Sequence, residues 1–135
     1  MKLKFELGGY YLLNSERVQL LLLKQPSIEQ LINYLHILMI HNGVLVLDNN
    51  QEHNYAPYKL TLYSDECNYL VMLETISIEG DINIRTFCDG SESEGFISIL
   101  GEPYPETSIV KNFTLVINVF KGFLESGDVS RELLN

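Results

Sequence analysis

The chain has 135 residues, with 18 Asp and Glu against nine Lys and Arg, a formal net charge of −9, and 46% hydrophobic residues. That size and composition fit one globular domain with its own core and exclude a disordered chain. The longest apolar runs, such as Leu20 to Leu23 and Tyr69 to Leu73, are far short of the roughly 20 residues of a membrane helix. The charged N-terminus lacks a leader-like apolar segment, so a cytoplasmic protein is expected.

Taken in chain order, residues 3 to 13 alternate Leu3, Phe5 and Leu7 with Lys4 and Glu6, the period of a half-buried strand, and Gly8-Gly9 marks a bulge or bend. Asn14-Ser15 reads as a turn, and Arg17 to Lys24 reads equally as strand or short helix. Ser27 with Gln30 three residues on is a capping box. Ile28, Leu31, Ile32, Leu35, Leu38 and Met39 then make a helical stripe that ends at Asn42-Gly43. VLVLD follows as a strand, and residues 49 to 57 as a polar loop.

The middle is strand-rich: residues 58–63, 69–78, 82–87 and 95–100, with turns at Ser64–Glu66 and Glu79–Asp81 and an acidic loop before the last. Such short spacings predict an antiparallel meander. Pro103 and Pro105 read as a rigid link. Thr107 or Ser108 is expected to cap a second helix, whose stripe runs from Ile109 through Phe113, Val116, Phe120 and Phe123, with Gly127 at its left-handed end. The expected architecture is α+β: a mostly antiparallel sheet of about five to six strands with two main helices packed on one face and the other face open.

Between Asp65 and Glu106 lie ten acids and one base, Arg85, so this window holds the whole net charge. Such a field repels nucleic acid and anionic membranes, and draws basic proteins. The alternative is a solvated surface that serves solubility. Cys67 and Cys88, the only cysteines, read as reduced, mostly buried thiols.

Residues 87–96, FCDGSESEGF, invite a metal test. From Asp89, calcium-loop spacing reaches Ser91 and Ser93, but the sixth residue is Glu94, not glycine, and the twelfth is Leu100, not glutamate. His36 and His41, five apart, do not share a helix face, and His53 sits in the polar loop. No nucleophile–base signature occurs, so neither catalysis nor a cofactor or metal is expected. Electrostatic recognition remains. The first contact candidates are Asp89, Glu92, Glu94, Glu102, Tyr104 and Glu106. Asp65, Glu66, Glu79 and Asp81 rank second, at turns placed at the opposite end of the meander. Phe87 and Phe96 bracket the acidic loop, either as anchors or as core residues.

GDINIRTF (80–87), ISILGEPYPETSIV (97–110) and FKGFLESGDVS (120–130) together resemble the C-terminal half of a family of small bacterial immunity proteins from contact-dependent growth inhibition systems. The matching positions are Gly101 with Pro103 or Pro105 before the helix, Phe120 and Phe123 at its F-x-x-F end, and Gly127, Val129 and Ser130 in a G-x-V-S tail. The resemblance implies binding and neutralisation of a cognate toxin C-terminal domain, commonly a basic nuclease such as a tRNase, without catalysis. Two rival expectations stand beside it: a structural or regulatory interaction subunit of another assembly, and a small metal-dependent hydrolase.

Overall fold

Short β-favouring runs and two helical stripes fold here as α+β. The computed structural model describes residues 4–50, 55–88 and 94–135. Leu3, His53, Asp89, Ser91, Glu92 and Ser93, all weighed above, lie outside them. Strands β1 (Glu6–Leu13) and β2 (Glu16–Lys24) form a hairpin, which resolves the ambiguous second segment as a strand. Asn14 and Ser15 turn it with φ of 51° and 66°, the backbone of two-residue primed turns that match strand twist. Leu7 pairs with Leu23 and Gly9 with Leu20, so Leu21 and Leu22 together oppose Gly8 as a bulge.

Helix α1 (Ile28–Ile40) starts at the capping box: Gln30 N donates to Ser27 Oγ at 3.1 Å, and Ser27 N to Gln30 Oε1 at 2.9 Å. The helix leads to β3 (Gly43–Asp48) on the other side of β1. Strands β2 and β3 are both antiparallel to β1, hence parallel to each other, and that geometry requires a crossover such as α1. Strands β4 (Pro57–Asp65), β5 (Asn68–Ile76) and β6 (Ile82–Arg85) extend the sheet in the order β2-β1-β3-β4-β5-β6. The β4–β5 turn is Glu66-Cys67 (φ 49° and 62°) rather than Ser64–Glu66; Ser64 and Asp65 stay in β4.

The meander expectation breaks after β6. Strand β7 (Phe96–Ile99) leaves the main sheet and pairs with β8 (Glu102–Pro105), which contains both prolines of the expected link. A two-stranded ribbon gives each strand a free side, where a missing N–H is tolerated. A short 3-10 turn (Glu106–Ser108) leads to β9 (Ile109–Val110), which joins β5 beside Tyr69 and Leu70 as the seventh strand of the main sheet. Helix α2 (Phe113–Ser126) is therefore capped by Asn112, whose Oδ1 accepts from Thr114 N at 3.0 Å, and not by Thr107 or Ser108. Ile109 lies in β9, outside the helix stripe. Gly127 ends the helix at φ 80°, where a Cβ would be strained.

The core lies between the sheet and the helices. One row of paired residues, Leu7, Leu47, Leu60 and Leu73, crosses four strands, and Leu45, Leu62 and Val71 form the next; all are fully buried. Leu31, Leu35 and Leu38 of α1 and Val116, Val119, Phe120 and Phe123 of α2 cover them. Burying each such side chain is worth about 1.5–3 kcal/mol. Ser64 Oγ donates to Leu38 O (2.7 Å) and Tyr69 OH to Met39 O (2.8 Å), so the sheet satisfies carbonyls in the last turn of α1.

The leucine row ends on β6 at Arg85, opposite Leu73. Its guanidinium is buried and binds Val129 O (2.6 Å), Leu134 O (3.0 Å from Nη2) and Asp128 Oδ1 (2.9 Å), which fastens the C-terminal segment over the sheet end. The only base of the acidic window is thus consumed inside the fold.

Candidate protein-binding surface

Tyr63 lies between Leu62 and Ser64, so its ring points away from the helices. Tyr104 of β8 stacks on it, with ring centroids 6.4 Å apart and planes 27° apart. The β7–β8 hairpin therefore covers one end of the sheet face expected to be open. Its turn, Leu100-Gly101, has φ of 51° and 90°. Leu100 N donates to Asp65 Oδ2 at 2.8 Å, and Asn42 Nδ2 donates to Asp65 Oδ1 at 3.1 Å. Asn42 also donates to Glu66 Oε1 and accepts from Glu66 N at 2.9 Å. At the hairpin base, Glu106 N donates to Gly95 O at 3.0 Å. Burial first, then Tyr104, Glu74 and Tyr10, raises the pKa of Tyr63 above its ordinary value.

The candidate acids divide into groups. Asp65 is half-buried and structural: it clamps the hairpin turn. Glu66 and Glu102 are exposed at that same end, Glu102 through its pairing with Ile99 beside the turn. Asp65 and Glu66 thus join the hairpin instead of sitting opposite it. Glu79 and Asp81 do lie at the other end of β5 and β6, and are exposed. Glu94 is exposed at the hairpin base. Glu106 is half-buried there, its carboxylate packed so closely that a Cβ on Gly95 would meet it at 3.1 Å. Tyr104 is half-buried against Tyr63, where it seats the hairpin. Asp89 and Glu92 lie outside the described residues.

The residue that sequence reasoning left undecided is Phe96. Ile97 pairs with Tyr104 on the inner side of the ribbon, so Phe96, opposite Pro105, faces out and is 69% exposed. Phe87, by contrast, is buried in the core. Alternation within β7 alone carried the Phe96 signal, but its direction depends on where the ribbon docks.

Elsewhere, Cys67 and Cys88 are both exposed, against the expectation of buried thiols; Cys67 occupies a turn tip, which leaves it no cover. His36 is exposed, and His41 rests against Tyr11 with ring centroids 4.9 Å apart. Among the described residues, no group of three His, Cys, Asp or Glu is placed to hold a metal ion. No described helix is long and apolar enough to cross a membrane.

No curated protein matches the chain. The crystal structure of a hypothetical protein from Neisseria gonorrhoeae is similar to it, with 27% identity and a TM-score of 0.82 over 94% of this chain and 90% of that one. The match of a family model to residues 4–133, nearly the full length, means that the chain belongs to DUF6911, a family of unknown function.

Proposed function

We propose that the protein is a non-catalytic binding module whose outer hairpin surface docks a basic protein, and that this partner is the nuclease domain of a toxin which the module neutralises in the cytoplasm. What carries the reading is Phe96: an aromatic ring 69% exposed on a ribbon whose turn is clamped by Asp65, with Glu94 exposed two residues before it and Glu102 exposed at the turn end. An exposed aromatic anchor on a ribbon with acids at both ends suits a partner with a complementary basic surface. The charge map supports it further, because Arg85, the one base of the acidic window, is buried. A nuclease cleft is basic, since it must bind phosphate. The resemblance to immunity proteins points to the same class of partner.

The experiment tests the protein against toxin nuclease domains, beginning with any encoded beside its gene, and measures binding by calorimetry and nuclease activity. Phe96→Ala is expected to weaken binding by about tenfold or more, as an anchor loss of more than about 1.4 kcal/mol does. Reversing Glu94 and Glu102 to lysine is expected to slow association, with the difference from wild type shrinking as salt rises. Binding that both variants leave intact would remove the hairpin from the interface. A stable complex with a partner that is not a toxin would favour the interaction-subunit reading.

A further inference from the structure

The helix-side face of the sheet does not stay apolar to its end. Thr75 pairs with Asn83, two residues from the pair of Leu73 and Arg85, so both pairs point to the same face. Leu73 is fully buried, whereas Thr75 is half-buried and Asn83 exposed. Beside this polar row lies a cavity of about 520 Å3, bounded on its other side by the C-terminal segment. It sits at the opposite end of β4 and β5 from the clamped turn of the ribbon. Thr75, Asn83, Tyr55, Arg131 and Asn135 line it, together with the Arg85–Asp128 ion pair. Small-molecule sites run from about 300 to 1,000 Å3.

The lining is rich in donors with no other commitment. Among the described residues, the side chains of Thr75, Asn83 and Asn135 make no hydrogen bond, and the Arg131 guanidinium meets no carboxylate, in a chain with 18 acids. The acidic side chain in the lining is Asp128, whose Oδ1 already accepts from Arg85 Nη1 at 2.9 Å and from Val129 N at 2.7 Å. Glu79 and Asp81, in the adjoining β5–β6 turn, do not line the cavity. A guanidinium beside hydroxyl and amide donors is the set that a phosphate or carboxylate accepts from. At the rim, Tyr55 is 56% exposed and holds a φ of 56°. A left-handed backbone is costly for a bulky aromatic residue, and such strain gathers at ligand sites. Here it presents a flat apolar ring beside the donors.

We infer that this cavity binds a small molecule that carries an oxyanion, phosphate or carboxylate, on a flat ring. Arg131 pairs with the oxyanion, Thr75 and Asn83 donate to it, and the ring lies against Tyr55. The site is separate from the hairpin surface and does not depend on what docks there.

Nuclear magnetic resonance titration of the isotope-labelled protein with phenyl phosphate, at constant ionic strength, reads the result. The side-chain amides of Asn83 and Asn135 and the Arg131 Nε–H are expected to shift together along one saturating curve. Arg131→Gln changes an exposed side chain and is expected to weaken binding at least tenfold with the rest of the spectrum kept. Lys121→Gln, on α2 and outside the cavity, is expected to bind like wild type. Tyr55→Ala is expected to bring phenyl phosphate down to the affinity of inorganic phosphate. Benzoate in place of phenyl phosphate separates the two oxyanions, and the tighter of them is the group the site takes. Shifts that never saturate with either compound, or a curve that Arg131→Gln or Tyr55→Ala leaves unchanged, would overturn the inference.

Discussion

The two faces of one sheet are finished in opposite ways. On the helix side, rows of fully buried leucines meet the apolar stripes of α1 and α2, and polar groups there meet backbone carbonyls: Ser64 and Tyr69 those of α1, Arg85 those of the C-terminal segment. On the other side, a two-stranded ribbon rests on an aromatic stack and a carboxylate clamp, and much of its surface stays wet. Apolar burial scales with area and needs no particular partner, whereas the clamp depends on single hydrogen bonds. The helix side therefore fixes the fold, and the ribbon side is where surface residues are at liberty to serve recognition.

The largest expected effect breaks the helix side. Phe120 is fully buried in α2, and Phe120→Ala is expected to cost about 3–5 kcal/mol, the range for a large aromatic cavity. Urea unfolding at constant m-value measures it. A cost under about 1 kcal/mol would mean that the helix layer collapses onto the gap and is softer than its burial implies.

Next comes the seam where the leucine row ends. Arg85→Met keeps length and apolar stem but strands the carbonyls of Val129 and Leu134, at an expected cost of about 1–3 kcal/mol each way the tail fails to rewet. Limited proteolysis should then release the segment after Gly127. Asp128→Asn is expected to do far less, because the Asp128 side chain is largely exposed and its ion pair correspondingly weak. Equal effects from the two would show that the ion pair, and not the carbonyl contacts, holds the tail.

How much of this was legible in the sequence follows the same division. The capping box at Ser27, the glycine end at Gly127, the Asn14-Ser15 turn and the leucine alternation are local signals, and local geometry obeyed them. The ribbon was not legible as a ribbon. Pro103 and Pro105 argue against a central strand, and only a separate two-stranded sheet makes them admissible. Asn112 outcompeted Thr107 and Ser108 as cap because β9 had first to pair with β5, a contact between residues about forty apart in sequence that no local pattern encodes. Arg85, the one base of the acidic window, lies inside because the C-terminal segment supplies carbonyls for it, a contact that no local pattern encodes. Ile82 and Ile84 alternate as core residues do, but β6 presents that side to the uncovered face.

A smaller effect tests the polar contacts within the dry side. Burial foremost, then the neighbouring Cys67 thiol, pushes the Tyr69 hydroxyl from the ordinary 10 up to about 12. The sign is fixed by which state holds the proton. Below pH 10 both states are protonated and the full stability is present. Between about pH 10 and 12 the unfolded chain loses the proton that the folded chain keeps, so stability falls across that window. Tyr63, also raised, adds a slope of the same sign. Tyr69→Phe is expected to cost about 0.5–1.5 kcal/mol at neutral pH for the bond to Met39 O, and to flatten the alkaline slope. A slope unchanged in Tyr69→Phe would assign the alkaline loss to other tyrosines.

The smallest expected change in global stability is the one that sharpens the comparison most. Asp65→Asn preserves shape and leaves an acceptor for Leu100 N, but it exchanges a charge-assisted bond for a neutral one. The expected cost is under about 1 kcal/mol in urea. Its signature is local. If the ribbon is a unit apart, the Leu100 amide exchanges faster with solvent while the amides of Leu62 and Val71, in the buried rows, keep their wild-type protection. Partial opening of this kind would also move Phe96, since β7 runs from the exposed ring to the clamped turn, so loss of affinity for the proposed partner should accompany faster Leu100 exchange without a matching loss of stability. Should Leu100, Leu62 and Val71 instead accelerate together, the ribbon unfolds with the core, and the division between a face that holds the fold and a face that is free to recognise disappears.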